Sequence, residues 1–136
     1  MASLDDVERL VAELPGTEET TRHGYRTWVV EGKAYAWERP FSKADLKRFG
    51  DETPPEGPIL AVRLEDLGER EAVLTARSGD GFFTIQHFDN YPAVLIELDQ
   101  VPEQVLRDAL LDGWLVFAPA ASAQEMLASR RRRAKD

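Results

Sequence analysis

His87 and Asp89 stand two residues apart in the run GFFTIQHFDNYPAVLIELD, Gly81 to Asp99, and His87 is one of two histidines in the chain. On an extended strand such neighbours share a face, so an imidazole and a carboxylate at this spacing can reach one ligand. A neutral ring nitrogen beside a carboxylate suits zinc or non-haem iron. Such a site needs a third protein ligand, and His23 is the other histidine that could supply it. The same residues also read as structure: a histidine at a strand end, beside a turn capped by Asp89. Tyr91 follows two residues on, and His87, Asp89 and Tyr91 together form a candidate ligand-binding site. No metal is assigned.

Nucleophilic chemistry has less to work with. The chain holds no cysteine, which excludes disulfides, zinc thiolates and Cys nucleophiles. It has no G-x-S-x-G elbow, and its nine glycines are spread over turns rather than gathered in a phosphate-cradling loop. With 25 acidic residues, carboxylate pairs arise by chance. The expectation is a binding protein without catalytic residues, metal or cofactor.

Charge is distributed unevenly. The net charge is −8, yet Arg22 to Arg48 holds seven bases against three acids. Those bases are Arg22, Arg26, Lys33, Arg39, Lys43, Lys47 and Arg48, interleaved with Trp28, Tyr35 and Trp37. A basic hairpin can touch phosphates, and aromatics on a basic sheet face can stack bases. The alternative places the aromatics in the core, with basic stems at its edges. A second basic run, Arg130, Arg131, Arg132 and Arg133, closes the chain. There it either complements a helix dipole or neutralises phosphates without reading sequence. The acidic remainder repels nucleic acid and anionic membrane at long range.

These residues need elements to hold them. Ser3 caps a helix over about 4–14, with Leu4, Val7, Leu10, Val11 and Leu14 at helical spacing. Arg26–Val30 and Lys33–Arg39 read as strands joined by a Glu31-Gly32 turn. A simple two-residue loop sets Trp28 opposite Tyr35. It puts Arg26, Trp28, Val30, Lys33, Tyr35 and Trp37 on one face. Pro40 to Pro58 is a surface connection, with one or two helical turns in SKADLKRF capped by Ser42. Ile59–Leu64 is a third strand. Glu65–Ala76 is a helix with Leu67, Val73, Leu74 and Ala76 inward. Phe82–Phe88 and Ala93–Leu98 are the fourth and fifth strands. Pro102 opens a helix whose apolar stripe runs to Phe117, and Ala118-Pro119 breaks it. Ser122 to Glu125 is a capping box for a last helix that frays into the arginines. Hairpins with helices on one side imply an α+β fold with a five-stranded antiparallel sheet.

Four stretches taken together, ELPGTEETTRHG, WVVEGKAYAWERP, GFFTIQHFDNYPAVLIELD and VLRDALLDGWLVFAP, resemble the MmcQ/YjbR family of small bacterial proteins. The resemblance spans about residues 4–128, leaving 129–136 as a basic C-terminal tail. It implies an α+β domain with a frataxin-like (CyaY-like) sheet, and a DNA-binding label that rests on a double-wing likeness in structure. The chain departs from the family in a Pro-rich insert around 50–58 and in the arginine tail. At fold level, the acids Asp5, Asp6, Glu8, Glu13, Glu18 and Glu19 are similar to the ridge on which frataxins hold iron.

Two readings of function follow. In one, the basic residues and the arginine tail contact DNA phosphates weakly and with strong salt dependence. In the other, a protein or small ligand binds near His87. The start MASLDDVERL has no signal-peptide pattern, and no apolar run approaches membrane-spanning length, so a cytoplasmic protein without membrane contact is expected.

Overall fold

A computed structural model describes residues 2–135, with side chains through Arg130. In chain order the elements are α1 Leu4–Val11, β1 Glu18–Arg22, β2 Tyr25–Val30, β3 Lys33–Glu38, α2 Lys43–Phe49, β4 Ile59–Arg63, α3 Leu67–Ala76 and β5 Phe82–Phe83. After a 3-10 turn at Gln86–Phe88 come β6 Ala93–Glu97, α4 Glu103–Phe117 and α5 Ala120–Lys135. The fold is α+β. One antiparallel sheet runs β1-β2-β3-β4-β6-β5.

The sheet has six strands rather than the expected five. The added strand, β1, is EETTR, with every residue exposed. It buries no face, so no apolar alternation marks it. A His23-Gly24 turn, with φ of +54° and +83°, folds it back onto β2. Both residues sit in the left-handed region that a tight hairpin turn requires. The Glu31-Gly32 turn between β2 and β3 has the same form, with φ of +53° and +73°.

The β2–β3 pairing departs from the simple register. Val30 pairs with Lys33 and Val29 with Ala34, but Trp28 pairs with Ala36 and Thr27 with Trp37. Tyr35 is the extra residue of a β-bulge, so Trp28 does not face it across the ladder. A bulge changes the alternation beyond it. Tyr35 and Ala36 therefore both enter the helix-side core, and Trp37 turns to the opposite face.

The main core lies between the sheet and α1 and α4, around Trp28, Tyr35, Leu60, Ile96, Leu106 and Trp114. Leu60 and Val62 of β4 join it, while Ile59 and Ala61 point the other way. Gly113 lets α4 touch the sheet: a Cβ there would lie 2.9 Å from Val62 Cγ1 and 3.1 Å from the Tyr35 carbonyl oxygen. Ile59, Ala61 and Leu95 on the second face pack with Phe88, Trp37, Phe41, Phe83 and Ile85. Loops and α2 cover only part of that face, leaving the concavity described below.

Other boundaries differ from expectation. The strand expected over Phe82–Phe88 pairs only at Phe82 and Phe83 before the chain enters the 3-10 turn. Leu67 and Ala76 of α3 are exposed, whereas Val73 and Leu74 pack on the core. The last helix begins at Ala120, which places Ser122 inside its first turn rather than at its cap. It continues through the arginine run instead of fraying there.

Candidate functional site: an aromatic concavity on the open sheet face

Three stretches of chain meet on the second sheet face around a concavity of about 630 Å³. The β1–β2 hairpin contributes Arg22, His23, Tyr25 and Thr27. The bulged strand and the segment after it contribute Ala34, Trp37, Glu38, Arg39 and Phe41. The 3-10 turn and its exit contribute His87, Phe88 and Tyr91. Both histidines of the chain thus border one cavity, although they lie 64 positions apart in sequence. Thr27 and Ala34 are small side chains on paired strands, and they give the cavity its depth where larger residues would fill it.

The bulge is what brings Trp37 here. Its ring meets Tyr91 edge-on, with centroids 6.4 Å apart, and Tyr91 lies 5.8 Å from Phe88. These separations are those of favourable aromatic pairs. Two arginines stack over rings of this cluster: Arg39 over Phe88 at 5.7 Å and Arg63 over Tyr91 at 5.1 Å.

His87 and Asp89 do not share a strand face. A 3-10 turn advances three residues per revolution, so positions two apart diverge. His87 borders the concavity; Asp89 is exposed and does not. Among the described residues, no three His, Asp or Glu side chains gather as a metal site would need.

Arg70 builds this loop from behind. It is buried on α3, and its guanidinium donates to the carbonyl oxygens of Phe88, Asp89 (3.3 Å) and Tyr91 (3.2 Å). The Phe88 and Tyr91 carbonyls also accept from the backbone N–H groups of Tyr91 and Ala93, so Arg70 gives each a second donor and gives Asp89 its described one. Arg70 was missing from the sequence-based site. Its signal is position: it lies three residues after Leu67 and three and four before Val73 and Leu74, a cation within the apolar stripe.

The basic residues do not form one surface. Arg26 lies against α1 and bridges Asp5, Glu8 and Glu19 at 3.3, 3.0 and 2.9 Å. The Glu19 bond first, then Glu8 and Asp5, hold its guanidinium charged against the opposing effect of burial. Other acids of the N-terminal segment are likewise occupied with arginines, since Asp6 pairs with Arg9 and Glu13 with Arg107. Lys33 sits over the Phe117 ring. Arg39 pairs with buried Asp45 at 3.0 Å, and Arg130 with Asp108 at 2.9 Å. Lys43, Lys47 and Arg48 are exposed on α2. The side chains of Arg131, Arg132 and Arg133 lie outside the described residues. Among the described side chains of the basic set, Arg22 and Arg39 meet at the concavity.

Asp45 anchors α2 beside the site. Ser42 and Asp45 form a reciprocal capping box. Burial pushes the Asp45 carboxyl up, but hydrogen bonds from Ser42 and the nearby Arg39 outweigh it and hold the group below the usual range.

No family model matches the chain. In fold it is similar to the crystal structure of Deinococcus radiodurans protein DR2400, a DUF419 domain, with a TM-score of 0.62. That alignment covers 92% of this chain and 88% of the other at 20% identity, a likeness of fold alone. In sequence it is 42% identical over 132 residues to uncharacterized protein Rv2570 of Mycobacterium tuberculosis and to uncharacterized protein Mb2600 of Mycobacterium bovis. Each match covers 95% of this chain and 98% of the relative. The chain therefore belongs to the family of these mycobacterial proteins.

Proposed function

We propose that the protein is a non-enzymatic binding domain of the MmcQ/YjbR type, and that its working site is the concavity on the open sheet face. The observation that carries this reading is convergence: two histidines, five aromatic residues and two arginines from three separate stretches surround one cavity of about 630 Å³. That size lies within the range of roughly 300–1,000 Å³ common for small-ligand sites. The likeness in fold to a DUF419 domain and the four sequence stretches quoted above support the family assignment. A fragment screen by two-dimensional NMR on the full chain tests the site. Hits should cluster on the amides of residues 22–27, 34–42 and 87–91; hits confined to other surfaces would sink the proposal.

A second reading, DNA binding, is favoured by one observation. Lys43, Lys47 and Arg48 stand exposed on α2, which follows directly from the segment Arg39–Ser42 at the cavity rim. This narrows the phosphate-contacting set, because Arg26, Arg39 and Arg130 already hold carboxylates. Anisotropy with labelled duplex and single-stranded DNA separates the two readings, as argued below. The absence of any described helix long and apolar enough to cross a membrane is compatible with either.

A further inference from the structure

We infer that the concavity selects a planar aromatic acid, an aromatic ring bearing a carboxylate. This deepens the ligand-binding reading above and rests on it. Three features of the cavity lead to that chemistry.

The walls are flat. The Tyr91 ring lies 6.4 Å from Trp37 and 5.8 Å from Phe88, and Tyr25 and Tyr91 remain partly open to solvent. A planar ring gains most from such walls through stacking and edge contacts.

The lining carries two guanidinium groups against one carboxylate within an acidic protein, Arg22 and Arg39 against Glu38. Glu38 accepts a long hydrogen bond, 3.4 Å, from the Arg26 backbone N–H, which turns its carboxylate toward the chain. Arg39 is matched by Asp45. Arg22 makes one described hydrogen bond, from a terminal nitrogen to the Gly32 carbonyl oxygen at 3.0 Å. A guanidinium has five N–H donors in a planar fork that fits a carboxylate, so Arg22 retains donors for a ligand.

Two of the rings carry a cation over one face. Aromatic cages attract ammonium groups through the negative face of the ring. Here Arg39 covers Phe88 and Arg63 covers Tyr91. An ammonium ligand would meet like charge at those two rings, whereas a carboxylate meets favourable charge. This argues for an anion independently of Arg22.

The test uses three probes that share one ring system: 2-naphthoate, 2-naphthalenemethanol and 2-naphthylmethylamine. Each is titrated into the full chain, with calorimetry for affinity and NMR shifts for location. The naphthoate should bind at least about tenfold tighter than the alcohol, and the amine weakest. Arg22→Glu, on an exposed edge strand, should weaken the naphthoate several-fold, leave the alcohol unchanged and strengthen the amine. If the amine or alcohol binds at the cavity as tightly as the acid, the aromatic-acid assignment fails while the ligand-binding reading stands. If none of the three probes moves a cavity amide, the assignment fails, and the fragment screen decides whether the wider reading fails with it. If Arg22→Glu leaves the preference for naphthoate intact, Arg22 is not the recognising group and the assignment in this form is overturned.

Discussion

Arg70 carries a charge into the apolar stripe of α3, and its bonds to three consecutive-loop carbonyls give the cost a return. Its Nε atom has no partner among the described residues, so the terminal nitrogens bear the whole task. Arg70→Met keeps the stem and removes the donors. Loss of the charge-assisted bonds, with the Phe88 and Tyr91 carbonyls still held by backbone N–H groups, predicts a loss of about 1.5–3 kcal/mol in urea unfolding. Arg70→Lys should recover less than half of it, because a point charge on a flexible stem cannot span three carbonyls as a fork does. Full recovery by lysine would show that charge alone matters. Asp45 offers a second residue-level prediction, with a defined sign in pH. Its folded-state pKa is depressed, so its stabilisation is fully present above the unfolded value near 3.9 and disappears as pH falls through the lower folded value. Asp45→Asn should therefore cost about 1–3 kcal/mol at pH 7, from a weakened cap and a broken pair with Arg39. The gap to the natural protein should narrow below about pH 4. Urea midpoints at several pH values measure it, and a gap that is constant down to pH 2 would contradict the assignment. At this scale the sequence pointed to His87 and Tyr91, which border the concavity, but not to Arg70, whose contacts are with carbonyls about twenty positions away.

Helices and the Glu31-Gly32 turn were legible because each rests on local chemistry: caps, prolines, a positive-φ glycine and helical spacing of apolar residues. The elements that were not legible depend on partners. β1 has no apolar residue to announce it and exists because β2 supplies a ladder. The stretch Thr84 to Phe88 has strand-forming residues, yet strand preference largely measures fit to a half-buried pleated surface. Here Phe88 is buried in the second-face cluster and its carbonyl is taken by Arg70, so the backbone leaves the sheet. The Tyr35 bulge was equally hidden, and with it the arrival of Trp37 at the site. One element contact can be tested directly. Gly113 sits within α4, where alanine would ordinarily gain about 1 kcal/mol of helix propensity. The 2.9 Å and 3.1 Å contacts awaiting a Cβ predict the reverse: Gly113→Ala should push α4 from β3 and β4 and cost about 1–3 kcal/mol. A rise in thermal midpoint would mean that the helix does not approach the sheet this closely.

For the molecule as a whole, net charge and local charge point in opposite directions. A body at −8 repels a polyanion, so any DNA affinity must come from a local patch. Two stretches can serve that reading: Lys43, Lys47 and Arg48, exposed on α2, and the arginine run of the sequence at 130–133. They predict different salt behaviour. Three phosphate contacts from α2 give a slope of log affinity against log salt of about −3, since each neutralised phosphate contributes about −0.9 on duplex DNA. Adding the arginines steepens that slope by roughly one unit per phosphate engaged. Anisotropy of the full chain, of a chain ending at Ser129, and of Lys43→Glu/Lys47→Glu/Arg48→Glu, each from low to physiological salt, separates the contributions. A shallow slope that survives truncation but vanishes in the α2 variant would place DNA beside the cavity, where an unstacked base could enter it. A steep slope lost on truncation would describe a sequence-blind basic helix unconnected with the sheet face. No binding by the full chain at low salt, where attraction to phosphates is strongest, would retire the nucleic-acid reading and leave the aromatic concavity as the surface that accounts for the fold's open face.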